Sequence, residues 1–358
     1  MIRALLLLMA AAHASPPPAA PRPIIIAHRG ASGERPEHTL AAYSLAIDEG
    51  ADFIEPDLVM TRDGVMIARH ENEIGGATDV AAHPEFAARR TTKVIDGQQV
   101  TGWFTEDFTL AELATLRARE RLPELRPEVA RAYDGKFPIP TLDEILALAA
   151  AKSRETGRRI GIYPEIKHST YFRSIGLAME RPLLARLARA GLTRRTDPVF
   201  IQSFEIANLK QLRRLTKLRL IQLIDEDGAP YDRIAAGDRR LTYRAMTTPA
   251  GLRAIARYAD GIGPAKELIV PRGGDGRSLP PTRLIADAHA AHLLVHPWTF
   301  RSENAFLPLE SHAGTDPAAH GDAATEYRQF FSLGIDGLFS EFPAEAWLAR
   351  NNVALQHN

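Results

Sequence analysis

Two histidines and three carboxylates stand at the ends of short apolar runs, where neighbouring strands of a sheet would bring them together. His28 follows a run of isoleucine and alanine, and His70 follows the run VMIAR. Glu55 and Asp57 end a third run, and because side chains two apart on a strand share a face, they should point the same way. Glu165 ends a fourth run. This set favours metal-assisted acid–base chemistry on a phosphate group.

The elements that position these residues are predicted to be strands of a (β/α)8 TIM barrel, an α/β fold. Such a barrel places its active site at the carboxyl ends of parallel strands that alternate with helices. Nine strand-like segments are present for eight barrel positions, so one of them must lie outside the barrel. The predicted strands cover 24–28, 52–57, 65–70, 162–167, 198–204, 218–224, 259–263, 292–298 and 335–339.

The barrel is predicted to occupy 24–358, with an insertion of about 71–138 after the third strand segment. This stretch breaks the strand–helix rhythm, and it contains a charged segment over 110–121 that is predicted to be helical. The rhythm returns at Thr141, which forms a capping-box pattern with Glu144. Thr39 is likewise the predicted N-cap of the helix that follows the first strand. We expect the insertion to cap the mouth of the barrel.

Composition excludes several classes of protein. The chain has 358 residues, and its 44 lysines and arginines balance 44 aspartates and glutamates. A nucleic-acid partner is therefore not expected, since such proteins usually carry a basic bias. There is no cysteine, which excludes disulfides, thiol catalysis and thiolate metal sites.

The N-terminal residues have the pattern of an export signal. Arg3 precedes an apolar stretch, and Ala12 to Ala14 offer a small-x-small cleavage site. We predict a signal peptide over 1–14 that is cleaved after Ala14, a linker over 15–23, and a periplasmic protein. The apolar stretch is too short to span a bilayer, so no stable membrane insertion is expected, although a retained anchor is the alternative.

Several ordered motifs resemble those of the glycerophosphodiester phosphodiesterases, in particular their periplasmic branch. The motifs are HRGA at 28–31, PEHT at 36–39, EPD at 55–57, PEIK at 164–167, IQSF at 201–204, HPWT at 296–299 and FSEFP at 339–343. The resemblance implies a (β/α)8 barrel, a divalent cation, and hydrolysis of deacylated phospholipids to sn-glycerol 3-phosphate and an alcohol. His38 departs from the asparagine that is common in the wider family.

The three carboxylates are predicted to hold the cation. Glu55, Asp57 and Glu165 would repel each other without a positive charge between them. Their oxygen ligands suit Ca²⁺ or Mg²⁺, and the sequence leaves that choice open. The alternative is that these acids form ordinary salt bridges at the surface.

The remaining site residues are assigned by their chemistry. Arg29 and Lys167 are expected to bind the phosphate, although Arg29 could also pair with a nearby glutamate. His28 and His70 are the expected general acid and base, in an order that the sequence does not fix. Direct attack by water and attack by a glycerol hydroxyl through a cyclic phosphate both stay open. Trp298 is expected to pack against the glycerol, or otherwise to be a core aromatic.

Two other functions stay open. One is a phospholipase that acts on intact lipids with a related barrel, which would need an apolar or basic docking surface. The other is a catalytically silent binding or adhesion protein. The expected partner is a small glycerophosphodiester, and the sequence says nothing of oligomeric state.

Overall fold

The computed structural model describes residues 22–238 and 240–356. The predicted signal peptide and most of the predicted linker lie outside the described residues. The strands are β1 (Ile24–His28), β2 (Phe53–Glu55), β3 (Asp57–Met60), β4 (Met66–Ala68), β5 (Thr91–Ile95), β6 (Gln98–Gly102), β7 (Gly161–Ile162), β8 (Glu165–Ile166), β9 (Phe200–Ser203), β10 (Arg219–Ile224), β11 (Gly261–Pro264), β12 (Leu294–Val295) and β13 (Gly337–Ser340).

Helices follow most of the barrel strands along the chain. They are α1 (Leu40–Asp48), α2 (Leu110–Leu113), α3 (Pro127–Tyr133), α4 (Leu142–Thr156), α5 (Ser169–Ser174), α6 (Glu180–Arg189), α7 (Ile206–Leu215), α8 (Tyr231–Ala235), α9 (Tyr243–Met246), α10 (Pro249–Ile255), α11 (Leu284–Ala290), α12 (Ala323–Ser332) and α13 (Pro343–Gln356). Among the helices of the described residues, none combines the length and apolar character that crossing a bilayer requires.

Eight parallel strand positions form the predicted barrel. β2 and β3 make up the second position, and β7 and β8 the third, so that the order is β1, β2–β3, β7–β8, β9, β10, β11, β12, β13. β13 pairs with β1 in parallel. The ring closes between the last two positions, where the Asp336 N–H donates to Val295 O at 3.0 Å and the Phe339 N–H donates to Pro297 O at 3.0 Å. The fold prediction is therefore confirmed.

Prolines interrupt the two strand positions that carry the carboxylates. Pro56 separates β2 from β3, and Pro164 lies between β7 and β8. A proline has no N–H to donate to a neighbouring strand, so pairing is irregular at these points. The interruption leaves Asp57 in register with Glu165, and Glu55 in register with His28.

The segment that ends in His70 is the strand outside the barrel. β4 runs antiparallel to β3, in register from Leu58 opposite Ala68 to Met60 opposite Met66. One of the nine predicted segments was expected to lie outside the barrel, and β4 is that segment. The tight turn at 61–64 folds the chain back on itself, and an antiparallel hairpin needs no crossover helix.

The insertion between β4 and α4 contains an antiparallel hairpin, β5–β6, and two short helices, α2 and α3. The helix predicted over 110–121 ends at Leu113. Beyond it the backbone pairs with other segments, because the Arg119 N–H donates to Ala77 O at 3.0 Å and the Ala118 N–H donates to Phe137 O at 2.8 Å. These long-range hydrogen bonds replace the helical ones.

The caps that were predicted for α1 and α4 are confirmed. The Thr39 hydroxyl accepts the Ala42 N–H, and Thr141 forms a reciprocal capping box with Glu144. Inside the barrel, six buried residues from six strand positions fill the centre, so the interior is packed. They are Ile26, Phe53, Tyr163, Phe200, Ile221 and Phe339.

Candidate active site

Three buried carboxylates converge at the carboxyl ends of the second and third strand positions. Glu55, Asp57 and Glu165 each offer an oxygen within 4.8 Å of the other two. Glu55 accepts the Arg29 N–H at 2.9 Å and Gln202 Nε2 at 3.1 Å, which fixes both of its oxygens. The three carboxylates thus form one compact cluster of oxygen ligands, although two prolines interrupt the strands that carry them.

The charges of this cluster show why it fits a cation. Burial, and then the charges of Asp57 and Glu165, raise the pKa of Glu55 well above its ordinary value. Burial also raises the pKa of Glu165 to about 8, although Lys167 opposes the shift. For Asp57, Lys167 and a hydrogen bond from His38 outweigh burial and hold its pKa well below the usual range. Full ionisation of all three needs more positive charge, which a hard divalent ion with oxygen ligands would supply.

Arg29 lies at the end of β1 and faces both a carboxylate partner and the cluster. Its Nη1 donates to Glu37 Oε2 at 2.9 Å, and its Nε lies 3.3 Å from Asp57 Oδ2. Its backbone is left-handed, with φ of 63°. Gly30 follows with φ of 89°, and a Cβ at that position would lie 2.6 Å from a backbone atom of Ala42. The HRG sequence thus turns tightly against α1 and aims the guanidinium inward.

His28 is held by a carboxylate that follows the last strand. Its Nδ1 lies 3.0 Å from Glu341 Oε1. Glu341 is itself neutralised, because Arg126 Nη2 donates to its other oxygen at 2.5 Å and Arg301 Nε lies 2.8 Å from Oε1. Burial and then Arg29 lower the pKa of His28 to about 3, so the imidazole is neutral near pH 7.

His70 has an analogous carboxylate partner. Its Nδ1 lies 3.0 Å from Glu71 Oε1, and the other oxygen of Glu71 is 2.9 Å from Nε2 of His168. Nδ1 of His168 in turn contacts Asp96 Oδ2 at 2.7 Å, at the tip of the β5–β6 hairpin. Burial, then Arg29 and Lys167, lower the pKa of His70 to about 4. With Nδ1 on a carboxylate, each of the two imidazoles keeps Nε2 for proton exchange.

A cavity of about 310 Å³ opens beside the cluster, and we call it the first cavity. Trp298 lies in its wall, donates from Nε1 to Gly263 O at 2.8 Å and meets Phe204 edge to face. The lining includes His28, Arg29, Glu55, Glu165, Gln202 and Arg301. Lys167 stands behind it, with Nζ 3.2 Å from Glu165 Oε1. His70 is absent from this lining, and it follows Arg69, whose N–H donates to Asp57 O at 3.0 Å.

Comparison with known proteins identifies the family of this chain. The model of the glycerophosphoryl diester phosphodiesterase family matches residues 28–345. The chain belongs to this family. It is 40% identical over 334 residues to glycerophosphodiester phosphodiesterase GDPD6 of Arabidopsis thaliana, covering 90% of this chain and 84% of that protein. Like its relatives, it is an enzyme that hydrolyses glycerophosphodiesters.

Solved structures share the fold of this family member. A phosphodiesterase of Silicibacter pomeroyi has a TM-score of 0.64 at 20% identity, covering 94% of this chain and 95% of that one. A phosphodiesterase of Oleispira antarctica, solved with the product sn-glycerol-3-phosphate, has a TM-score of 0.58 at 18% identity, covering 92% and 97%. At such identities the likeness concerns the fold.

Four side chains that contact the site residues were not assigned a role from the sequence. They are His38, Gln202, Arg301 and Glu341. His38, Gln202 and Glu341 lie inside quoted motifs, and for Gln202 and Glu341 the available signal was a polar residue at the end of an apolar strand. Gln202 and Glu55 are 147 residues apart, so no local pattern could pair them.

Proposed function

We propose that this family member releases sn-glycerol 3-phosphate and an alcohol from glycerophosphodiesters, with a divalent cation and two histidines. One observation carries the proposal. The Glu55, Asp57 and Glu165 cluster has two imidazoles beside it, because His28 lies in register with Glu55 and His70 follows Arg69, whose N–H donates to Asp57 O; each imidazole is paired through Nδ1 with a carboxylate. Hydrolysis of a phosphodiester needs both a positive charge and two proton transfers, and this arrangement offers both.

The cluster would hold Ca²⁺ or Mg²⁺, since its ligands are all oxygens. A bound divalent cation would polarise phosphate oxygens and favour the deprotonated form of a coordinated hydroxyl. Arg29 and Lys167 would contact the non-bridging oxygens, where a guanidinium and an ammonium complement the developing charge. The pairing of Arg29 with Glu37 preorganises the guanidinium and is compatible with this role.

Proton transfer would be divided between the two histidines. Because both imidazoles are neutral near pH 7, either can accept the proton of the nucleophile, and the other must then be protonated to serve the leaving alkoxide. Trp298 would pack against the glycerol from the wall of the first cavity.

The test is a coupled assay for glycerol 3-phosphate release from glycerophosphocholine, with and without chelator. We expect release that stops on chelation and returns with Ca²⁺ or Mg²⁺. Cleavage of phosphatidylcholine instead would favour a phospholipase. Absence of hydrolysis with either substrate would favour a binding protein.

We also propose that the protein is exported to a periplasm, on the support of the sequence pattern over 1–14. Cell fractionation with N-terminal sequencing of the mature protein tests this, and we expect a mature chain that begins at Ser15.

A further inference from the structure

A second cavity adjoins the carboxylate cluster on the other side of Phe204. It has a volume of about 270 Å³, and Glu165 and Phe204 belong to the walls of both cavities. The Phe204 ring meets Trp298 edge to face at 5.8 Å between centroids and meets Tyr243 edge to face at 6.1 Å. Phe204 therefore separates the two cavities. Lys167 Nζ lies 6.0 Å from the centre of its ring.

The two cavities match the two arms of a phosphodiester. A glycerophosphodiester carries glycerol on one side of the phosphorus and an alcohol on the other. With the phosphate beside Glu165 and Lys167, one arm can enter the first cavity, which holds Trp298, and the other can enter the second. The volume of the second cavity suits a small alcohol better than a lipid chain.

The walls of the cavities differ in charge. In the first cavity, four basic side chains balance four acidic ones. The basic ones are Arg29, Lys266, Arg272 and Arg301, and the acidic ones are Glu55, Glu165, Glu226 and Glu267. In the second, Asp96 pairs with His168, and Glu165 pairs with Lys167. Two more carboxylates, Glu205 and Asp225, complete that wall. The second cavity therefore carries an excess of acid.

Neither Glu205 nor Asp225 has a cationic partner among the described residues. Glu205 accepts only the Thr170 N–H, at 3.0 and 3.1 Å, and the Thr170 hydroxyl, and Asp225 accepts the Glu226 N–H at 2.8 Å. Burial raises the pKa of Glu205 to about 7 and also raises that of Asp225. Both groups lack a counter-charge that a cation in the cavity would provide.

The lining favours an organic cation over a second metal ion. Within 22–238 and 240–356, only the Glu55, Asp57 and Glu165 group brings three ligand atoms within 4.8 Å. The second cavity adds the aromatic side chains of Phe204, Tyr231 and Tyr243 to its separated acids. Acidic groups together with aromatic rings are how proteins recognise alkylammonium groups.

We infer that the second cavity binds the alcohol arm of the substrate and selects alcohols that bear an ammonium group. The inference rests on the proposed function and adds its substrate class. Asp225 and Glu205 are then specificity residues, and the glycerol arm lies in the first cavity, on the Trp298 side of Phe204.

The experiment compares two substrates of similar size, glycerophosphocholine, whose alcohol arm is cationic, and glycerophosphoglycerol, whose alcohol arm is uncharged. We expect Asp225→Asn to lower kcat/KM for glycerophosphocholine about tenfold, mainly through KM, and to change glycerophosphoglycerol less than about twofold. Glu205→Gln should act in the same direction. Asp227→Asn, which removes the same charge from a side chain that is 91% exposed, is the matched control and should change neither substrate.

The outcomes separate this inference from the function it rests on. If wild type hydrolyses both substrates and Asp225→Asn affects them equally or not at all, the ammonium subsite is overturned and the hydrolase stands. If wild type hydrolyses neither, the proposed function itself fails. A loss confined to glycerophosphocholine supports the subsite, and so does competitive inhibition by free choline that weakens in Asp225→Asn.

Discussion

At the scale of single residues, each proposed proton carrier is oriented by a carboxylate, which is distant in the chain for His28 and adjacent for His70. His28 is paired with Glu341, and His70 with Glu71. We expect His28→Ala and His70→Ala each to lower kcat by roughly a hundredfold or more, since a positioned acid or base contributes about 10²–10⁴. Steady-state kinetics alongside circular dichroism measures this.

The control for these variants is His289→Ala. His289 is partly exposed and pairs with Asp336 near the start of β13, so its loss should leave kcat unchanged. If His28→Ala or His70→Ala kept wild-type turnover while folded, that histidine would not carry a proton in the rate-limiting step.

His38 contacts the carboxylate cluster through Asp57. It is fully buried, its Nε2 lies 2.9 Å from Asp57 Oδ2, and its Nδ1 lies 2.8 Å from the Tyr43 hydroxyl. Residues that orient a ligand typically change metal affinity by about 10–100-fold when removed. We therefore expect His38→Ala to weaken Ca²⁺ or Mg²⁺ binding by about that factor in calorimetric titration.

Asparagine at position 38 provides the informative comparison. It tolerates the left-handed backbone that His38 adopts, with φ of 57°, and it keeps an N–H donor. His38→Asn should therefore lose less affinity than His38→Ala. Equal affinity in wild type and His38→Ala would show that Asp57 needs no such support.

At the scale of elements, the β5–β6 hairpin is fastened to the barrel through His168. Hydrogen bonds to Asp96 and Glu71 outweigh burial and raise the pKa of His168 to about 9. Because the folded value lies above the unfolded value of 6.5, this stabilisation is complete below pH 6.5 and is lost as the pH rises through about 9.

The free energy of unfolding should therefore fall by about 2 kcal/mol across this window, a figure reduced for the partial exposure of Glu71. Urea unfolding at several pH values, in wild type and His168→Gln, measures it. The variant should lack this component of the pH dependence. An identical slope in both proteins would mean that His168 does not fasten the hairpin.

At the scale of the whole molecule, the proposed cation site joins two neighbouring strand positions that are far apart in the sequence. Glu55 and Asp57 come from the second strand position, and Glu165 comes from the third. A cation that binds only the folded state stabilises it by about 2.7 kcal/mol at a hundredfold excess over Kd. We expect chelation to lower Tm by about 5 °C and Ca²⁺ or Mg²⁺ to restore it.

Asp57→Asn is the matched control for that measurement, because it removes one ligand from the cluster and keeps the shape of the side chain. Its Tm should no longer respond to the cation. A wild-type Tm that is the same with chelator and with cation would argue against a metal at this cluster.

What the sequence determined by itself was what short-range patterns encode. Strand ends, the alternation that turns Glu55 and Asp57 to one side, and the caps Thr39 and Thr141 depend on neighbours within a few residues. The order of strands and helices then led to a barrel, and the barrel rule placed the charged strand ends together.

Tertiary structure decided what depends on contacts between distant residues. The strand before His70 turned back as a hairpin, although its pattern resembles that of the barrel strands. His28 found its partner 313 residues away. Phe204 separates the two cavities only because Trp298, which follows β12, and Tyr243, which begins α9, both pack on it. Such partners are chosen by packing and by the pairing of buried charges, and neither leaves a local signal in the chain.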